Sequence, residues 1–221
     1  MKIAKLVAVT LAVIPSVLAV SYATDAHACG MSIRMDPTPQ KPTPVQEIAR
    51  AEKALENGQN LVAAKAVLGT FPRVRAATAG ANPLETRALR VFALAVVRSN
   101  GTVSEKAAGF GTKAGEWTPT ANLEWAVQSI REIDAKRPND PTVQADLGEA
   151  LSKLPHGQKE ALEILQKLAQ KDLMGSPHAY AALANLRTAK GDSAGAEAAI
   201  KRCEEMSKTP GVCKPASAAK A

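Results

Sequence analysis

Aromatic residues are scarce in this chain: Phe, Trp and Tyr together make up 3% of its 221 residues, while alanine is plentiful. Sheet-based cores lean on aromatic and β-branched side chains, so the scarcity argues against a sandwich or barrel and leaves close-packed helices of Ala, Leu, Val and Ile. Catalytic signatures are missing as well. There is no Cys-x-x-Cys pair, no His-Glu-x-x-His helix, no calcium-loop pattern and no Gly-x-Ser-x-Gly elbow. Gly109-Phe110-Gly111-Thr112-Lys113 imitates a phosphate loop only superficially, because the Gly-Lys-Ser/Thr order and a preceding strand are lacking. His156 lies in a Pro-His-Gly turn and His178 at the second position of a helix, where the helix start lowers its pKa. They are far apart, and no acidic partner pattern joins them. The expectation is a protein without catalytic residues, metal or cofactor.

Long apolar runs are confined to one place. Lys2 and Lys5 precede an apolar stretch from Leu6 to Val20, and small residues follow at Ser21-Tyr22-Ala23 and Ala26-His27-Ala28. That three-part pattern reads as a secretory signal peptide over residues 1–28, with two cleavage sites open. The run is shorter than the roughly 20 residues a bilayer-spanning helix needs. Cleavage removes two lysines and one aspartate, which lowers the net charge from +7 to +6. This basic excess is not interleaved with aromatics, so nucleic acid is not the expected partner.

Cysteines number three. Cys203 and Cys213 are ten residues apart, across a Thr209-Pro210-Gly211 turn, and in an oxidising compartment they can pin the tail onto the last helix. Cys29 follows Ala28 directly, where an acylated first residue would stand, although Ala26 and His27 depart from the Leu-Ala-Gly-Cys lipobox. A free thiol and a lipidated Cys29 both stay open, and the latter is the only membrane link foreseen.

What the chain does have is a repeated helix start. Thr43-Pro44, Asn82-Pro83, Asp140-Pro141 and Ser176-Pro177 each join an N-capping side chain to proline at the first helical position. Thr118-Pro119 is a fifth. Each of the first four opens a helical stretch of roughly 14 residues with apolar spacing of three and four. Partner helices are expected over Leu61–Phe71, Ala121–Lys136, Lys159–Lys171 and Ala194–Met206. Counting from each cap proline, Tyr180, Leu183, Ala184, Ala196, Ile200 and Cys203 fall at positions 4, 7, 8, 20, 24 and 27 of the last unit. The third unit offers Leu147-Gly148, Leu151, Ala161, Leu165 and Leu168. This spacing resembles the tetratricopeptide repeat, a 34-residue helix–turn–helix unit, with departures at Arg187 and Arg50. The resemblance covers about residues 44–208 and implies an all-α solenoid of about four hairpins.

The remaining segments frame that domain. Residues 29–43 form a Pro-rich spacer, residues 99–117 a Gly-rich insertion in the second unit, and residues 209–221 a tail. The insertion reads either as functional or as a tolerated surface loop, and Trp117 at its edge is a candidate binding anchor.

In proteins of the resembled family, peptides lie in a concave groove lined by positions 2, 5, 9 and 12 of the first helices. Carried over, these are Val45, Ile48, Glu52 and Leu55, then Leu84, Arg87, Val91 and Leu94. Thr142, Ala145, Glu149 and Ser152 follow, and His178, Ala181, Asn185 and Thr188 complete the set. The resemblance therefore implies an adaptor or assembly factor of the cell envelope that binds a protein or peptide, with Arg87 and Glu149 as polar anchors. The alternative is a periplasmic carrier of a small molecule or glycan.

Overall fold

In a computed structural model, residues 41–103, 118–209 and 211–214 are described. The expected signal peptide, Cys29, most of the Pro-rich spacer, the insertion from residue 104 to Trp117 and the end of the tail lie outside the described residues. Among the described residues all regular structure is helical. Eight α-helices run α1 Pro44–Glu56, α2 Asn60–Thr70, α3 Pro83–Arg98, α4 Pro119–Lys136, α5 Pro141–Leu151, α6 Gln158–Gln170, α7 Pro177–Ala189 and α8 Ser193–Met206. None of them is long and apolar enough to cross a membrane.

All five cap-plus-proline starts form as the sequence predicts. Thr43 and Gln46 make a reciprocal capping box. Asn82, Thr118, Asp140 and Ser176 each accept a hydrogen bond from a backbone N–H of the first turn, with proline following. These side chains take up donors that a helix start leaves without partners. The start of α8 is capped by Asp192, which accepts from the Gly195 N–H at 2.9 Å.

Each helix packs on the next along the chain, and α1, α3, α5 and α7 also pack one on another. Burial follows the 3.6 period: α6 turns Ala161, Leu165 and Leu168 inward and leaves Lys159, Glu163 and Lys167 to solvent. Helix α3 is the exception. Every residue from Val91 to Val97 is buried, so α3 is surrounded by neighbours. Gly148 shows how tightly α5 meets α6, since a Cβ there would stand 2.7 Å from Leu165 Cδ2.

The insertion begins and ends at one point. Gly101 has φ +78°, and a Cβ on it would lie 2.1 Å from the Pro119 carbonyl oxygen, so only glycine fits. Asn122 Nδ2 donates to Gly101 O at 2.8 Å, and Arg75 Nη2 donates to Asn122 Oδ1 at 2.6 Å. The Arg75 guanidinium also stacks 4.2 Å over Trp125, which meets Phe92 edge-on at 5.7 Å. Trp125 is thus packing, as its helical position suggests. With its ends clamped together, extra chain between residues 103 and 118 leaves the α3–α4 contact undisturbed.

Candidate functional site

Helices α1, α3, α5 and α7 all contribute residues to two cavities that share part of their lining. The first, of about 570 Å³, is lined among others by Glu52, Leu55, Val91, Leu94, Thr142 and Ala145. The second, of about 520 Å³, is lined by Glu149, Ser152, Ala181, Asn185 and others. His178, Arg98 and Val212 line both.

Most residues chosen by repeat position therefore converge. Five line neither cavity: Val45, Ile48, Leu84, Arg87 and Thr188. Val45 is 54% exposed and faces solvent, whereas Ile48 is fully buried in the core. Leu84 is half-buried against the core at the start of α3. Thr188 is exposed at the end of α7 and donates back to the Ala184 carbonyl at 3.0 Å. The apolar first unit thus contributes largely to packing.

Polar groups at the site are joined in ion pairs that sequence spacing does not reveal. Arg98, at the end of α3, reaches Glu149 on α5 through Nε at 2.9 Å and Nη2 at 3.0 Å. Both side chains are nearly inaccessible, at 10% and 3%. Arg90 Nε donates to Asp146 Oδ2 at 2.5 Å, about two turns earlier on α3 and one turn earlier on α5. Arg87 grips both carboxylate oxygens of Glu52 on α1. So Arg87 and Glu149, the two expected anchors, already hold partners within the chain. The three arginines stand at i, i+3 and i+11 on α3, which gives them a common side for bridging to α1 and α5.

These surroundings set the charges. Burial alone would raise the Glu149 carboxyl, but the Arg98 guanidinium outweighs it and holds Glu149 below its ordinary value. For Asp146 burial wins over Arg90, and its carboxyl is pushed up to about 6. His178 is pushed down to about 4, first by burial and then by the nearby Arg98 charge. At neutral pH the shared wall of the two cavities therefore contains a neutral imidazole near a closed Arg–Glu pair.

The predicted tail pairing forms: Cys203 and Cys213 are joined in a disulfide, with Cα atoms 5.6 Å apart. Its consequence lies beyond what spacing suggests, because the pinned segment lines both cavities through Val212. Among the described residues no group of three or more His, Cys, Asp and Glu side chains is gathered to hold a metal ion. Comparison with protein-family models, with curated proteins and with solved structures finds no match to this chain.

Proposed function

We propose that this chain is a non-catalytic interaction module of the bacterial cell envelope, an exported α-solenoid of four hairpins similar to tetratricopeptide repeats. It takes a peptide or protein segment into the concavity lined by its first helices. One observation carries this reading: residues chosen by repeat position on four separate helices line two adjoining cavities along one face. Such a face is curved and preorganised by helix packing, which reduces the ordering cost of binding an extended segment.

A carrier of a small molecule or glycan is the second reading. It is favoured by volume alone, since cavities of about 520 and 570 Å³ match the size of ordinary ligand sites. The two readings part in one experiment. The mature protein is panned against a displayed library of random peptides, alongside an Ala181→Trp chain whose indole fills the α7 wall of one cavity. Enrichment of a peptide class that Ala181→Trp loses at least about tenfold supports the interaction module. Failure to enrich any peptides over that variant sinks it, and ligand-dependent Trp fluorescence would then favour the carrier. Mass spectrometry of the native N-terminus tests export: cleavage after Ala23 or Ala28, with or without acylated Cys29, is expected, and an intact Met1 would refute it.

A further inference from the structure

A segment near the end of this chain lies across the two cavities and forms part of their wall. Beyond Met206 the described residues, 207–209 and 211–214, stay against the domain. Ser207 and Thr209 form a local turn, with the Thr209 N–H donating to Ser207 Oγ at 3.2 Å and that hydroxyl donating to Thr209 O at 3.0 Å. Thr209 Oγ1 then donates at 3.2 Å to the backbone carbonyl of Glu56, a residue 153 positions away at the end of α1. The last carbonyls of a helix have no partner within it, so this hydroxyl satisfies one of them. The Thr209 methyl lies 3.7 Å from where a Cβ on Gly58 would stand, over the α1–α2 turn. Val212 packs against the core beside both cavities, and Cys213 returns the chain to α8 through Cys203. A short loop, closed at its base by a disulfide, thus lays its tip from the last hairpin onto the first.

The loop presents two recognisable features. One is a hydroxyl side chain aimed at an open helix carbonyl. The other, three residues later, is a small β-branched side chain that lines both cavities together with Arg98 and His178. Neither needs an ion pair, and the Arg98–Glu149 and Arg87–Glu52 pairs stay closed with the loop in place.

We infer that residues 207–209 together with Val212 are an intrachain occupant of the groove, and that the groove's external partner is an extended segment of the same chemistry. That partner carries a Ser or Thr for the Glu56 carbonyl and a small apolar residue three positions on for the place of Val212. The inference rests on the groove reading proposed above and specifies its ligand class and its control. A tethered occupant acts at an effective concentration of roughly millimolar, and the disulfide lowers the ordering cost of its bound form. A free partner therefore competes with the loop and binds fully only when the tip is lifted.

The test uses the full mature chain and a labelled synthetic peptide with the sequence of residues 206–212, followed by fluorescence polarisation. Three chains are compared: wild type, Val212→Asp with its disulfide intact, and Cys203→Ser/Cys213→Ser. Lifting or loosening the tip should tighten peptide binding about tenfold or more over wild type. The same peptide with aspartate in place of its valine should bind none of them. A folded Val212→Asp chain that binds the peptide no better than wild type overturns the inference. Peptides enriched from the displayed library separate this failure from that of the groove reading. If those bind all three chains equally and are lost on Ala181→Trp, the groove stands and the occupant falls. If Val212→Asp binds neither the synthetic peptide nor any library peptide, both fall together.

Discussion

Arg87 and Arg98 stand near the two ends of α3, and each holds a glutamate through two guanidinium nitrogens, one on α1 and the other on α5. Chemically the pairs are the same. Their surroundings differ: Arg87 and Glu52 are 40% and 28% exposed, Arg98 and Glu149 only 10% and 3%. At the open end water screens both charges, so the pair adds little and either member can be exchanged. At the closed end each ion exists because the other compensates its lost hydration, so the pair behaves as one unit. A charged residue in a groove is therefore no evidence of a ligand anchor until its partner inside the chain is known.

The strongest way to break this comparison is to remove one member of the closed pair. Arg98→Met leaves Glu149 buried without compensation and should cost about 3–5 kcal/mol in urea unfolding. Arg98→Met combined with Glu149→Leu should recover most of that loss, since a well-packed apolar pair is commonly as stable as a buried ion pair. If the single substitution cost no more than an exposed pair does, the two ends of α3 would be equivalent and the contrast would be wrong.

The closed end can also be disturbed from its far side. Gly148 precedes Glu149 and sits against Leu165, so Gly148→Val forces α5 away from α6 and should cost about 1–3 kcal/mol by overpacking. Adding Leu165→Ala should return part of that loss. No recovery would mean that the cost arises within α5 alone.

Acid sharpens the same contrast. The His178 pKa falls from 6.5 unfolded to about 4 folded. Between those values the unfolded chain binds the extra proton, so stability contributed by neutral His178 is lost as pH falls from 6.5 toward 4. Asp146 works oppositely: raised from 3.8 to about 6, it binds a proton in the folded chain first and gains stability as pH falls through the same range. The two nearly cancel in wild type. His178→Gln removes one side, and near pH 4.5 it should be about 1–2 kcal/mol more stable than wild type, relative to their difference at pH 7.5. Equal pH profiles in paired denaturation series would refute the burial assigned to His178.

Local patterns made the helices legible. Thr43, Asn82, Thr118, Asp140 and Ser176 cap the helices their prolines announce, because cap and proline act within one turn. Register then follows from each proline, and so Glu52, Val91, Ala145, Glu149 and Asn185 could be placed on one side before any contact was known. What spacing could not supply is pairing across the chain. Arg98 and Glu149 are 51 residues apart and Arg90 and Asp146 are 56 apart, and a helical period specifies a face but no counter-charge. Ile48 shows the complementary limit, since it is fully buried and lines neither cavity, whereas Ala181 at the same repeat position of the last unit lines one. The pairing of Cys203 with Cys213 was readable, whereas the placing of Val212 beside the two cavities depends on the long-range contact of Thr209 with Glu56.

The smallest effect belongs to the open end. Arg87→Met should change unfolding stability by less than about 1 kcal/mol, because its pair with Glu52 is screened and both side chains can rehydrate when separated. Reversing the pair, with Arg87→Glu and Glu52→Arg in one chain, should restore whatever the single change costs, while the same exchange of Arg98 and Glu149 should not, since the buried fork fits one arrangement of its neighbours. Both exchanges are read by thermal melts in low and high salt. Salt should erase the small Arg87 effect and leave the Arg98 loss nearly untouched. An Arg87 loss that persisted in high salt would show that the open end of α3 is as closed to water as the other, and the distinction between the two would vanish.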